Sequence, residues 1–110
     1  MKSNHLFHPM VVHSGVTEIV PYAAPEIRRA ELSDLDALAP LFDAYRSFYG
    51  RKSDLYGART FLEERLQREE SIIFLAELDS QPAGFTQLYP LFSSVNMSRI
   101  WILNDLYVTE

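Results

Sequence analysis

Asp105 is the residue in this chain best placed to do chemistry. It lies in the run Arg99-Ile100-Trp101-Ile102-Leu103-Asn104-Asp105-Leu106-Tyr107-Val108-Thr109-Glu110, an acid among aliphatic, β-branched and aromatic neighbours. A carboxylate partly withdrawn from water in a cleft holds a proton more readily than a free one, which suits it to proton transfer. The competing use is structural, a carboxylate that only satisfies nearby backbone donors. Asn104 beside it can donate and accept hydrogen bonds, but an amide cannot take a proton at any usable pH. Tyr45, Phe48 and Tyr49, together with Tyr89 and Phe92, supply aromatic walls that could hold an alkyl chain or a cation. Core packing is the alternative for these rings, above all for Tyr45, and for Trp101 as well.

The elements that must position these groups follow from periodicity. Trp101, Leu103, Asp105 and Tyr107 alternate against Ile100, Ile102, Asn104, Leu106 and Val108, which predicts a strand apolar on both faces and interior to its sheet. Upstream, Glu26 to Glu31 reads as a short strand around Ile27 and Ala30. Ser33 with Asp36 three residues later forms a capping box for a helix. Leu35, Leu38, Phe42, Tyr45 and Tyr49, with Leu41 and Phe48, form one broad apolar stripe through to Gly50. Pro40 removes a bond to the Asp36 carbonyl, so the spacing predicts a kink or a loosened first turn there. After a turn-rich Gly50 to Gly57, residues Ala58, Phe61, Leu62 and Leu66 mark a second helix. Its outer face carries Glu63, Glu64, Arg65, Arg68 and Glu69 and is read as solvated. Ile72 to Ala76 reads as a buried strand, Asp79 to Pro82 as a tight turn, Ala83 to Phe92 as a returning strand and Ser93 to Met97 as the turn into the last strand. The fold class is α+β: a strand, two helices, then a three-stranded antiparallel meander.

The segment Ile102-Leu103-Asn104-Asp105-Leu106-Tyr107-Val108, together with this order of elements, resembles the GNAT superfamily of acyl-CoA N-acyltransferases. The resemblance runs from Glu26 to Glu110 and implies a three-layer α/β domain of which this would be the N-terminal half. In such a domain the final strand here is the fourth of the sheet and runs into an Arg/Gln-x-x-Gly-x-Gly/Ala loop that holds the cofactor pyrophosphate at a helix N-terminus. That loop is absent from these 110 residues. The resemblance further implies acetyl-CoA as cofactor, its pantetheine arm bonding like an added strand to backbone groups of Leu106, Tyr107 and Val108. The implied acceptor is a small amine or a lysine side chain that attacks the thioester directly. Asp105 would then act on the amine or its proton, while Phe48, Tyr49, Tyr89 and Asn104 would contact the acceptor. Several amine-acetylating relatives place a glutamate where this chain has Asn104, and the tyrosine that serves as acid in the family falls in the other half. Weak binding of acetyl-CoA by this chain is the corresponding expectation.

Composition narrows the remaining possibilities. The 110 residues are 47% hydrophobic and 23% charged, which suits one globular domain with a modest core. The absence of cysteine excludes disulfides, thiolate zinc sites and a cysteine nucleophile, and it is compatible with the cytoplasmic location expected here. A formal net charge of −5, with Lys and Arg interspersed among acids, gives no footprint for nucleic acid. His8, Pro9 and His13 interrupt the N-terminal apolar stretch, so neither a signal segment nor a membrane span is expected. Met1 to Pro25 reads as an extension or arm in which Met10 to Val12 or Val16 to Val20 could lay down a strand. His5, His8 and His13 fit no closed zinc pattern, and no metal site is expected. The apolar final strand further predicts self-association into a homo-oligomer, either of an acetyltransferase or of a noncatalytic GNAT-like module that pairs through its sheet edge.

Overall fold

The computed structural model describes residues 10–13, 16–19 and 24–109. The expectations for His5 and His8 and for the remainder of the arm lie outside them. Strands β1 (Met10–His13) and β2 (Val16–Ile19) pair antiparallel with each other in a two-stranded sheet. The two apolar snippets of the arm thus form their own hairpin instead of extending the main sheet.

The rest of the order is β3 (Glu26–Arg29), a 3-10 turn at Leu32–Asp34, α1 (Leu35–Phe48), α2 (Leu55–Gln67), β4 (Ile72–Leu78), β5 (Gln81–Ser93) and β6 (Ser98–Val108). The main sheet is antiparallel throughout, in the order β3-β4-β5-β6. The expected α+β string is therefore present. The helices cover one face of the sheet, and Leu38, Leu62, Ile73 and Leu75 between them are almost wholly buried, each contributing about 1.5–3 kcal/mol of transfer free energy.

The helix start differs from the expected one. The capping box is made by Glu31 and Asp34, two residues earlier than Ser33 and Asp36, and it closes the 3-10 turn that feeds α1. Asp34 wins because Arg28 on β3 clamps its carboxylate through two bonds of 2.9 and 2.8 Å, drawing it inward, whereas Asp36 stays exposed. Pro40 lies inside α1, and the helix continues through it to Phe48. Pro40 and Asp36 are both exposed, so water can reach the carbonyl that the proline leaves unbonded. Asp43 then accepts bonds from the Ser53 hydroxyl at 2.6 Å and the Asp54 N–H at 2.7 Å, tying the interhelical loop to α1. Asp54 caps α2 by accepting from the Gly57 N–H at 2.9 Å.

Between β4 and β5 the chain reverses through Asp79 and Ser80, both at positive φ, the geometry of a two-residue hairpin turn. Pairing of β4 with β5 ends at Ile72 and Leu88, so Tyr89–Ser93 and Ser98–Ile102 run on as a two-stranded ribbon. The Arg99 guanidinium stacks there over the Phe92 and Trp101 rings at 5.3 and 5.9 Å. Among the described residues β6 is the edge of the sheet, and Trp101 is 41% exposed instead of core. The apolar residues on β6 that suggested burial on both faces are in fact half open to water. The outer face of α2 is also less uniformly solvated than expected, since Arg65 lies over the Phe61 ring at 4.5 Å while bonding Glu64 and Glu70.

Candidate functional site

Asp105 reaches the helix-covered face through a break in the strand. From Gly84–Val108 to Gln87–Asp105 the β5–β6 pairing is regular, but Leu88 pairs with Leu103, so Asn104 is an extra residue in a β-bulge. The bulge reverses the alternation. Asp105 and Tyr107 share the helix side with Gln87 and Phe85, whereas upstream it is Ile102, opposite Tyr89, that continues that face. Leu103 and Trp101 pair with Leu88 and Pro90 on the other side. The single alternation expected through Trp101, Leu103, Asp105 and Tyr107 thus breaks at Asn104.

Asp105 is 6% exposed, and both of its carboxylate oxygens accept hydrogen bonds. Its Oδ1 accepts from the Tyr45 hydroxyl at 2.9 Å and from Asn104 Nδ2 at 3.0 Å. Its Oδ2 accepts from Gln87 Nε2 at 2.8 Å. The Gln87 amide oxygen accepts in turn from the Ser71 hydroxyl at 2.7 Å, which sets the orientation of the amide. No buried side-chain polar atom among the described residues lacks a partner, so the cluster is a closed network of the kind that holds one geometry. A carboxylate has about four acceptor positions, and three donors leave room for one more on Oδ2.

Two tyrosines bear the electrostatic imprint of this carboxylate. Desolvation first, and then the bond to Asp105, pushes the Tyr45 phenol up to about 12. Tyr89 is also raised, again by desolvation first and then by the Asp105 charge. Both phenols therefore stay protonated at neutral pH, and that of Tyr45 is the donor to Asp105. With Phe42, Arg46 and Phe61 they wall a cavity of about 400 Å³ between the helices and the sheet, onto which Asp105 opens. Stacking fixes that wall: Phe42 lies parallel to Phe61 at 5.6 Å and meets Phe85 edge-on at 5.9 Å.

The other site residues expected from sequence fall in three places. Tyr89 and Asn104 join Asp105. Phe48 and Tyr49 are mainly exposed at the end of α1, with Tyr49 edge-on to Tyr45 at 5.2 Å, and neither lines the cavity. Leu106, Tyr107 and Val108 divide by ladder phase. The Thr109 N–H bonds the Ala83 carbonyl at 2.8 Å, so by antiparallel alternation Tyr107 spends its backbone groups on β5. Leu106 and Val108 turn theirs to the open edge, and their side chains line a second, apolar hollow of about 260 Å³ on the helix-free face with Ile27, Phe74 and Ala76. Gln87 and Ser71 were not anticipated as site residues. The available signal was a glutamine in phase with Phe85 and Tyr89, a polar side chain at an inward position of β5. Among the described residues there is no group of three or more potential metal ligands, and no helix is long and apolar enough to cross a membrane.

No family model matches the chain. It is 58% identical over 82 residues to the uncharacterized N-acetyltransferase YhfO of Bacillus subtilis (strain 168), covering 74% of this chain and 55% of that protein. It is 37% identical over 83 residues to a probable acetyltransferase of Haemophilus influenzae (strain ATCC 51907 / DSM 11121 / KW20 / Rd), covering 74% of this chain and 57% of that one. Among solved structures, the crystal structure of a probable acetyltransferase superposes with a TM-score of 0.73 at 54% identity, over 77% of this chain and 57% of the other. The chain spans a little over half the length of the relatives it matches. With its antiparallel sheet and helices on one face, the chain is similar to a little over half of these acetyltransferases, consistent with half of a GNAT-type domain.

Proposed function

We propose that this chain supplies the acceptor wall and part of the cofactor edge of an N-acetyltransferase that moves the acetyl group of acetyl-CoA to a primary amine. The observation that carries this reading is Asp105: a buried carboxylate held by three donors, opening on an aromatic cavity, one residue from the open edge of β6. Residues 26–110 form the acetyltransferase part, with residues 1–25 as an arm. The pantetheine amides of acetyl-CoA would bond the outward backbone groups of Leu106 and Val108 as an added strand. The amine nitrogen attacks the thioester carbonyl carbon, so that an N–C bond forms and the C–S bond breaks. The proton released from the amine passes to Asp105 or to water bound to it, and the departing thiolate takes up a proton. Asn104 contributes by fixing Oδ1 of Asp105, since its amide cannot act as a base.

The test is release of free thiol from acetyl-CoA in the presence of a panel of primary amines, comparing the wild type with Asp105→Asn. Loss of about 10²-fold in turnover with unchanged acetyl-CoA affinity is expected. Equal turnover in the two proteins would remove Asp105 from the chemistry. A second reading, a noncatalytic module that pairs through its sheet, is favoured by one observation: Ile100, Ile102 and Leu106 on the edge strand are 39%, 42% and 46% exposed. Absence of thiol release with every amine would select it.

A further inference from the structure

The cavity beside Asp105 contains more chemistry than the capture of a simple amine requires. It is lined by one carboxylate, Asp105, and one guanidinium, Arg46, with Phe42, Tyr45, Phe61 and Tyr89 between them. The carboxylate is buried and its orientation is fixed from three sides, so it presents an anion whose position does not depend on a ligand. The second cation near this wall, Arg65, is already committed: it bonds Glu64 at 3.2 Å and Glu70 at 3.1 Å and lies flat on the Phe61 ring. Arg46 differs. Among the described residues its guanidinium makes no hydrogen bond or ion pair. Its neighbour on the same helix, Asp43, has its oxygens engaged by Ser53 and Asp54. A half-buried guanidinium with this freedom, on the rim of a cavity whose floor is a carboxylate, opposes a purely cationic ligand and favours one that brings an anion of its own.

We infer that the acceptor is zwitterionic, an amino acid or a closely related ω-amino carboxylate. Its ammonium group is held at Asp105, its carboxylate at Arg46, and its carbon frame against the four aromatic rings. This rests on the proposed function in taking the cavity as the acceptor site, and it adds the substrate class. A volume of about 400 Å³ lies within the usual range for small-molecule sites and accommodates a compact ligand of this kind. The aromatic faces serve both parts of such a ligand, packing on methylene groups and attracting the cation. An amine without a carboxylate would leave Arg46 with no anion in the cavity, and a polycation would meet repulsion from it.

The test is a binding titration that needs no acetyl-CoA and therefore separates this inference from catalysis. The isotopically labelled chain is titrated with 5-aminopentanoate, pentylamine and pentanoate, and the resonances of Tyr45, Tyr89 and the Gln87 side-chain amide are followed by NMR. The zwitterion should bind about tenfold more tightly than either single-charge analogue and shift those three residues. Arg46 is half-buried on a helix surface, so Arg46→Gln should leave the fold intact; it should abolish the tenfold advantage by weakening 5-aminopentanoate binding, with pentylamine bound no more weakly than by the wild type. Pentylamine binding as tightly as 5-aminopentanoate to the wild type, an advantage that survives Arg46→Gln, or no binding of any of the three would overturn the inference. Acetyl transfer to simple amines with no zwitterion preference would sink it while leaving the proposed function standing.

Discussion

The Tyr45 hydroxyl donates to Asp105 Oδ1 at 2.9 Å, joining the last turn of α1 to β6 across 60 residues of sequence. The bond ties the aromatic wall to the carboxylate that the wall surrounds. Tyr45→Phe keeps the ring contacts with Phe42, Phe85 and Tyr107 and deletes only this donor. A loss of about 1–2 kcal/mol in urea unfolding is expected, because a buried charged acceptor loses one of three partners. A variant as stable as the wild type would show that the bond adds nothing net.

Gln87 is a stricter test of the same network. Gln87→Leu removes the donor to Asp105 Oδ2 and leaves the buried Ser71 hydroxyl without its acceptor, so about 2–4 kcal/mol of destabilisation is expected. Ser71→Ala should cost less, about 1 kcal/mol, since Gln87 still reaches Asp105. The order of the two midpoints in denaturant checks this, and the reverse order would refute the hierarchy.

Gly84 is required by strand spacing. A Cβ there would stand 2.6 Å from the Tyr107 carbonyl oxygen and 3.3 Å from the Val108 Cα. Gly84→Ala must push β6 outward, with about 1–3 kcal/mol lost and faster amide exchange at Tyr107 and Thr109. Unchanged exchange at those two positions would contradict the close approach.

Alkaline pH should act through Tyr45. Its phenol ionises near 10 when unfolded and at about 12 in the fold, so the folded state holds the extra proton between those values. Stability from this group is complete below about pH 10 and declines as pH rises toward 12. Asp34 works in the opposite sense: the Arg28 guanidinium holds its carboxyl below the usual carboxylate range, so its contribution is present above that range and is lost as pH falls through the depressed value. Ultraviolet titration should find delayed ionisation of the Tyr45 and Tyr89 phenols, and Tyr45→Phe should remove the Tyr45 part of it.

Association is expected on the sheet rather than on α2. The helix-free face and edge carry Ile27, Leu103, Leu106 and Val108, and at about 25 cal/mol per Å² a shared patch of a few hundred Å² offsets much of the entropy lost on pairing. Light scattering should show a homo-oligomer at high micromolar concentration that Val108→Lys weakens. A stable monomer would rule this out, and a dimer indifferent to Val108→Lys would place the interface elsewhere.

The order of elements, the two helices and the meander were legible in the sequence, because hydrophobic period and turn chemistry are local properties of the chain. Leu38, Leu62, Ile73 and Leu75 follow such a pattern, and each is buried as the pattern requires. Asp105 could be singled out because an acid amid apolar strand residues is locally anomalous. Its partners could not be read in the same way. Tyr45, Ser71 and Gln87 come from three separate elements, and whether they meet depends on cross-strand register and helix docking, which no single stretch of sequence encodes. The bulge at Asn104 shows this in one residue. By period alone Leu103 and Asp105 share a face, whereas pairing with β5 inserts Asn104 between them and turns only Asp105 toward the cavity. The capping box moved from Ser33 to Glu31 for a related reason: Ser33 is the better local cap, but Arg28 on the neighbouring strand draws Asp34 inward, and a tertiary ion pair outweighs a local preference.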